Sequence, residues 1–280
     1  MTTAVEPREH TTEARGVRFH YVEWGQPDAP PIVLLHGMSS TCRIWDPLAQ
    51  AFQERYRVLA LDQRGHAETS WPEAPHYSTD DYVGDVEAFV DQQGLGRFVL
   101  VGLSMGAHSA MAYAARHPEK VTHLVPVDIR PGFEYERRPS LGVDRYTAEN
   151  GHPAFADHDA AVAVIRLTSQ TTPDAVLRHR LRHILKQLPD GTWTFKHDPR
   201  VGFYWKPADL WSELSKVTAP VLFVRGGKSQ YVSQSAAERT RDAFPNGELV
   251  TIEAAGHTVP EDAADAFIEA VRSFLERHPA

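Results

Sequence analysis

FVLVGLSMGAHSA, residues 98–110, decides how the rest of the chain is read. An apolar run, Phe98 to Val101, leads into Gly102-Leu103-Ser104-Met105-Gly106, and a helical pattern opens directly behind it. An apolar run of this length suits a strand buried on both faces. A serine at the tip of a tight strand-to-helix turn sits on strained backbone, and its hydroxyl projects clear of the sheet. Glycines on either side leave room for close packing. The turn also puts the Met105 N–H at a helix N-terminus, where it can stabilise an oxyanion. These residue types in this order describe an exposed nucleophile with one electrostatic partner.

The same alternation continues on both sides. PIVLLHG (31–37), YRVLALDQRG (56–65), VTHLVPVDIR (121–130), PVLFVRGG (220–227) and ELVTIEAAGH (248–257) each read as a strand that ends in a polar or Gly-containing loop. Between them lie helical patterns. STDDYVGDVEAFVDQQGLG (78–96) has a Ser/Asp start, early acids and a closing Gly, and MGAHSAMAYAARHPEKV (105–121) stops at His117-Pro118. PEDAADAFIEAVRSFLERH (260–278) starts on Pro260 and acids and ends on Arg277 and His278, as a helix dipole favours. GVRFHYVEWG (16–25) reads as an early strand at the sheet edge. Repeated βα alternation predicts an α/β fold with a doubly wound, mostly parallel sheet. Residues 131–210 break the rhythm with Arg, His and aromatic residues and helical patterns such as PDAVLRHRLRHILKQL (173–188). They read as a helical cap inserted over a core made of 1–130 and 211–280; the alternative is two ordinary βα units.

The totals set limits. The chain has 280 residues, 42% of them apolar, enough for one large domain or a domain with an insertion. Its 29 Lys and Arg against 37 Asp and Glu give a net charge of −8, which argues against general nucleic-acid binding. Cys42 is the single cysteine, so no intrachain disulfide forms and the composition suits a reducing compartment. MTTAVEPREHTTEA at the start has no apolar signal region, and no window approaches the ~18 apolar residues of a membrane span. The expectation is a cytoplasmic protein that acts on a small molecule, as a monomer or homodimer, away from membranes. No G-x-G-x-x-G or Walker sequence points to a nucleotide, and no cofactor or metal is expected. His179 and His183 have a helical i,i+4 spacing that could hold a metal, but no carboxylate motif accompanies them and a solvated face is the better reading.

A serine hydroxyl needs a base. Of 15 histidines, His257 in AAGHTVPED stands best, in a loop after the last strand and before the last helix. The second oxyanion donor is expected from LLHGMSS, where His36-Gly37 turns the chain and the Met38 N–H can point at the site.

HGMSS (36–40), LDQRGHAETS (61–70), GLSMGAHSA (102–110) and GHTVPED (256–262) together resemble the α/β-hydrolase fold family over roughly residues 15–278. The resemblance implies a serine hydrolase, and it brings two departures. Relatives usually carry glycine where Ala67 stands, which implies a local loop difference. Many relatives place the triad acid in the loop after the strand matching PVLFVRGG, but here that loop reads Lys228-Ser229-Gln230-Tyr231, without a carboxylate. Other relatives carry the acid one strand earlier, at the position of Asp128, 24 residues after Ser104. Asp128 is therefore the expected acid, with Gln230 as a neutral neighbour that can hold an imidazole but not stabilise its cation. Asp62 is expected to organise its own loop with Arg64.

Residues 131–210 hold eight Arg and three Lys against three Glu and seven Asp, a balance of +1 within a chain at −8. Arginine forks carboxylate well, so Arg145 and Arg166 are candidate ligands for an anionic group, with Trp205 as a pocket wall. Solvated arginines and a core tryptophan are the alternative. Relatives with the acid in this earlier position include hydrolases of anionic amides and lactonases. The reading is a cofactor-independent serine hydrolase that cleaves a small carboxylic ester or lactone through an acyl-enzyme. An amide or C–C bond hydrolase for a small anionic substrate, and a slow or non-catalytic ligand receptor on the same fold, stay open beside it.

Overall fold

The computed structural model describes residues 6–132 and 141–279. The apolar runs form the strands of one eight-stranded sheet. They are β1 (Arg8–Ala14), β2 (Val17–Trp24), β3 (Pro31–Leu35), β4 (Arg57–Leu61), β5 (Phe98–Leu103), β6 (Val121–Val127), β9 (Val221–Gly226) and β10 (Gly247–Ile252), in the order β1-β2-β4-β3-β5-β6-β9-β10. β1 and β2 run antiparallel to their neighbours, and every other pairing is parallel.

Both faces of the sheet are covered. Val33, Leu35, Leu59, Leu61 and Leu100 point to one face and Ile32, Leu34, Val58, Ala60, Val99 and Val101 to the other. The period of two thus survives inside continuous apolar runs, as expected of a sheet buried on both sides. α2 (Thr79–Gln92) and α3 (Met105–Arg116) cover the first face with Tyr82, Val86, Phe89 and Met111. α1 (Asp46–Phe52) and α10 (Ala264–Arg277) cover the second with Leu48, Phe52, Phe267, Val271 and Phe274. Fully burying each such side chain is worth about 1.5–3 kcal/mol. α2 starts on a capping box, with the Ser78 and Asp81 side chains each bonded to the other's backbone N–H.

Three expectations shift. GVRFHYVEWG is not the edge: β1 pairs along the outside of β2 in full register. REHTTEA is polar, with exposed positions throughout its length, so no apolar run marks it as a strand. The C-terminal helix is broken into α9 (Val259–Asp262) and α10, because Ala263 leaves helical geometry at φ −149°, ψ 61°. The Asp262 carboxylate is held there by Gly256 N–H and the hydroxyls of Thr171 and Thr172. The helical pattern of 173–188 ends early: α6 (Asp174–Ile184) gives way to a hairpin, β7 (Leu185–Gln187) and β8 (Trp193–Phe195), turned at Pro189-Asp190-Gly191.

Between β6 and β9 the chain also forms α4 (Leu141–Asn150), α5 (His158–Arg166) and α7 (Val201–Tyr204). Phe155, Ala161, Leu181, Ile184 and Leu185 make a small core of their own there. This segment is latched to the main body through buried Asp198, which accepts from Tyr77 Oη (2.5 Å) and pairs with Arg200, while its N–H bonds Gly65 O. Arg180 on α6 forms a second latch with Glu261 at 2.7 Å. Among the described residues no helix is long and apolar enough to cross a membrane. α8 (Gln234–Asp242) joins β9 to β10.

Candidate active site

Ser104 follows β5 and caps α3 with φ 52° and ψ −117°, a positive-φ conformation that L-residues avoid. The surrounding glycines explain how the turn fits. A Cβ on Gly102 would lie 2.4 Å from Gly106 O, and one on Gly106 would lie 2.3 Å from Leu35 O. The Ser104 N–H bonds Val127 O at 2.9 Å, so the serine turn is tied to the last residue of β6. The next residue is Asp128, also at positive φ (50°) and fully buried, with its own N–H on Val224 O of β9. Two neighbouring parallel strands, β5 and β6, therefore deliver Ser104 and Asp128 at their carboxyl ends, where α/β sheets bind ligands.

His257 reaches the same place from the loop after β10. Its Nδ1 lies 2.7 Å from Asp128 Oδ2, and its ring remains part-exposed. Asp128 also accepts Gly226 N–H on Oδ1 (3.1 Å) and the Ser229 hydroxyl on Oδ2 (2.5 Å). Gln230 is exposed on the same turn, and among the described residues it makes no hydrogen bond to His257. The carboxylate against the imidazole is Asp128. Ser104 Oγ makes no hydrogen bond among the described residues.

Met38 and Met105 flank the serine. Met105 is the first residue of α3 and its N–H has no intrahelical acceptor. At Gly37 an added Cβ would sit 3.3 Å from Ser104 Cβ, which places the backbone leading into Met38 against Ser104. Neither N–H donates a hydrogen bond among the described residues. The loop is shaped by Asp62, which accepts Cys42 N–H (2.7 Å), Thr41 Oγ1 (3.1 Å) and His20 Nδ1 (2.7 Å). Burial opposes the charge of Asp62, but the bond to His20 and the nearby imidazoles hold its carboxyl down to about 2. Arg64 is not its partner: the guanidinium pairs with Asp85 on α2 and donates to His76 O. Ala67 adopts φ 47°, the conformation for which glycine is favoured.

The three expected substrate contacts fare differently. Arg166 donates to Ser169 O, Thr172 O and Asp174, closing the loop behind its own helix, and this removes it from the candidate anion ligands. Arg145 is exposed on α4 with its guanidinium 5.3 Å from the Phe203 ring centroid. Trp205 is buried and meets the His108 ring edge-on at 6.1 Å, one helical turn beyond Ser104. The His179 and His183 rings lie 4.9 Å apart at a tilt of 59°, and His179 Nε2 is 3.3 Å from Asp46 Oδ2 at the start of α1.

Among the described residues one set offers nitrogen, sulfur and oxygen donors within 4.8 Å of one another: His20, Cys42 and Asp62, all buried. Burial raises the Cys42 thiol well above its usual value. The hydrogen bonds of Asp62 to the other two residues already account for the cluster as a brace for the 36–42 loop.

A line of imidazoles lies beside that loop and was not legible as a group in the sequence. His36 and His66 meet edge-to-face at 5.1 Å, His66 stacks on His197 at 5.9 Å, and His197 meets His152 at 4.1 Å. His197 Nε2 is 3.2 Å from Ser39 Oγ, so the inserted segment touches the loop that holds Met38. Burial pushes His66 down to about 3 and, elsewhere against Trp205, His108 down to about 4. Burial lowers His36 and His197 too. These rings fold neutral and protonate on unfolding, so the unfolded chain binds more protons below the usual 6.5. Stability is therefore lost as pH falls from 6.5 toward the folded values, by about 1.4 kcal/mol per pH unit for each such ring. Burial opposes the charge of His20, but its bond to Asp62 raises it, so its stabilisation is complete once pH has fallen to 6.5 and does not offset the loss below that. We expect the thermal midpoint to drop clearly between pH 7 and pH 5; a flat profile by calorimetry would contradict this account.

The alpha/beta hydrolase fold profile matches residues 30–264, and the chain belongs to that family. It is 28% identical over 249 residues to a 2-(acetamidomethylene)succinate hydrolase of Mesorhizobium japonicum, covering 88% of each chain. It is 29% identical over 264 residues to an esterase of Mycobacterium tuberculosis, covering 91% of this chain and 85% of the esterase. The crystal structure of an E-2-(acetamidomethylene)succinate hydrolase superposes with a TM-score of 0.86 at 26% identity, covering 97% of this chain and all of the other.

Proposed function

We propose that the protein is a cofactor-independent serine hydrolase that cleaves a small carboxylic ester or lactone through an acyl-enzyme. The observation that carries this reading is the 2.7 Å contact of His257 Nδ1 with buried Asp128, at the strand end next to the positive-φ Ser104 turn. In this reading His257 takes the Ser104 proton as Oγ attacks the acyl carbon, then returns a proton to the leaving alcohol. Asp128 fixes the imidazole by its Nδ1–H and stabilises the cation formed in the transition state. The Met38 and Met105 N–H groups receive the oxyanion, a contribution of about 3 kcal/mol per donor in comparable sites. Water, activated by the same histidine, releases the acid. The 131–210 segment acts as the cap, with Trp205 as an apolar wall and exposed Arg145 as its remaining candidate anion ligand.

A second reading is an amide hydrolase for a small dianionic enamide. It rests on the likeness to the acetamidomethylene-succinate hydrolases, in sequence and in structure. Labelling by a fluorophosphonate probe, followed by turnover of a panel of neutral esters, lactones and acidic enamides, tests both. Labelling at Ser104 with fastest turnover of an ester or lactone is expected. Fastest turnover of an acidic enamide would replace the ester reading, and absence of both labelling and turnover would leave a ligand receptor.

A further inference from the structure

We infer that Ser229 is a fourth, positioning member of the site, which holds the Asp128 carboxylate and sets how much of its charge reaches His257. The inference rests on the triad reading above. Ser229 stands on the turn after β9, in the stretch that contains no carboxylate of its own. Gly226 to Ser229 form a tight turn, with Ser229 N–H on Gly226 O at 3.0 Å. The turn is pinned to the histidine loop by Gly227 N–H on Ile252 O and Lys228 N–H on Ala255 O. A Cβ on Gly226 would fall 1.8 Å from Gly256 O, so the two loops are in direct backbone contact.

The direction of the Ser229 hydroxyl is settled by its neighbours. Its oxygen accepts the Tyr231 N–H at 3.1 Å, and its proton goes to Asp128 Oδ2 at 2.5 Å. An ionised carboxylate can only accept, so this bond has one possible polarity. Oδ2 is the same oxygen that faces His257 Nδ1. Ser229 and His257 therefore share one lobe of charge, while Gly226 N–H takes the other oxygen. With three donors on a fully buried carboxylate, removal of one leaves Asp128 short of a partner that water cannot easily replace. The same turn lays the Tyr231 ring over His257, with centroids 4.4 Å apart.

A donor on Oδ2 draws charge away from the imidazole. Without it, the protonated ring is favoured more strongly and must be deprotonated at higher pH before it can act as base. The other groups around the ring are unaltered by a change at Ser229: Glu261 is paired with Arg180, Asp262 is held by Thr171 and Thr172, and Lys228 and Glu253 flank the turn. The test is the pH dependence of ester hydrolysis by Ser229→Ala, Ser229→Thr and Asp128→Asn. For Ser229→Ala we expect kcat to fall about tenfold with KM nearly unchanged, since the hydroxyl contacts the acid and not the substrate. The acidic limb of kcat/KM should move up by about 0.5–1 pH unit, and Ser229→Thr, which keeps the hydroxyl, should restore both. A wild-type limb in Ser229→Ala, whether or not its melting temperature falls, would overturn the inference while the triad stands. Wild-type turnover in Asp128→Asn would overturn the triad reading itself.

Discussion

Replacing Ser104 with alanine should lower kcat by on the order of 10⁴- to 10⁶-fold, the scale on which a serine nucleophile is lost in a unit whose members act together. The fold should stay intact, because the hydroxyl is part-exposed and makes no hydrogen bond among the described residues. His257→Ala should fall to a similar floor, and the double variant should be little worse than either single one. Glycine at 104 separates chemistry from stability. With φ at 52°, the serine occupies a conformation glycine adopts without penalty, so Ser104→Gly should be equally inactive yet melt higher, by about 1 kcal/mol of relieved strain. Steady-state hydrolysis by purified Ser104→Ala at more than a few per cent of wild type would end the acyl-enzyme mechanism.

The second large effect is expected at Asp128. Asparagine keeps the side-chain shape but removes the charge that supports the imidazolium, and it can present an N–H₂ where Nδ1–H needs an acceptor. A loss of about 10⁴-fold in kcat is the scale set by the same change in serine proteases, a different protein. Gln230→Ala should cost less than about twofold, because Gln230 faces solvent. Gln230→Asp in the wild-type background should not help, since a second carboxylate near Asp128 repels it. Stopped-flow and steady-state rates on one ester suffice for the comparison. Near wild-type turnover in Asp128→Asn with a crippled Gln230→Ala would move the support of His257 to the turn after β9.

The parts of the site that could be read in the sequence are those whose chemistry and local geometry coincide. Ser104 lies between two glycines that can be only glycine, given backbone oxygens within 2.4 Å of any added Cβ. The inner parallel strands were visible because a strand covered on both faces cannot hide a polar residue cheaply, and half-buried β10 still shows a short apolar pair, Leu249-Val250. β1 was invisible for the converse reason: its side chains are exposed or half-exposed, and it is held by backbone pairing to β2 and by polar contacts such as Thr12 with Gln92. The break at Ala263 depends on Asp262 finding Thr171 and Thr172, some 90 residues earlier in the chain, and no local pattern encodes that contact. Ser229 escaped notice because its role lies in the direction of one O–H bond. Arg166 looked available because composition counts charges without showing that its donors close a neighbouring loop.

In the proposed mechanism the acid and the base that meet at 2.7 Å are 129 residues apart, with the nucleophile just ahead of the acid. A chain emerging from the ribosome completes the strands bearing Ser104 and Asp128 while its proton acceptor is still unmade. On that mechanism, products that end before His257 possess a serine without a base, and they are expected to stay silent toward acyl compounds however well the front half has folded. On that mechanism activity arrives with the final strand and its loop, so in a pool of nascent and nicked chains turnover counts only those that extend past His257.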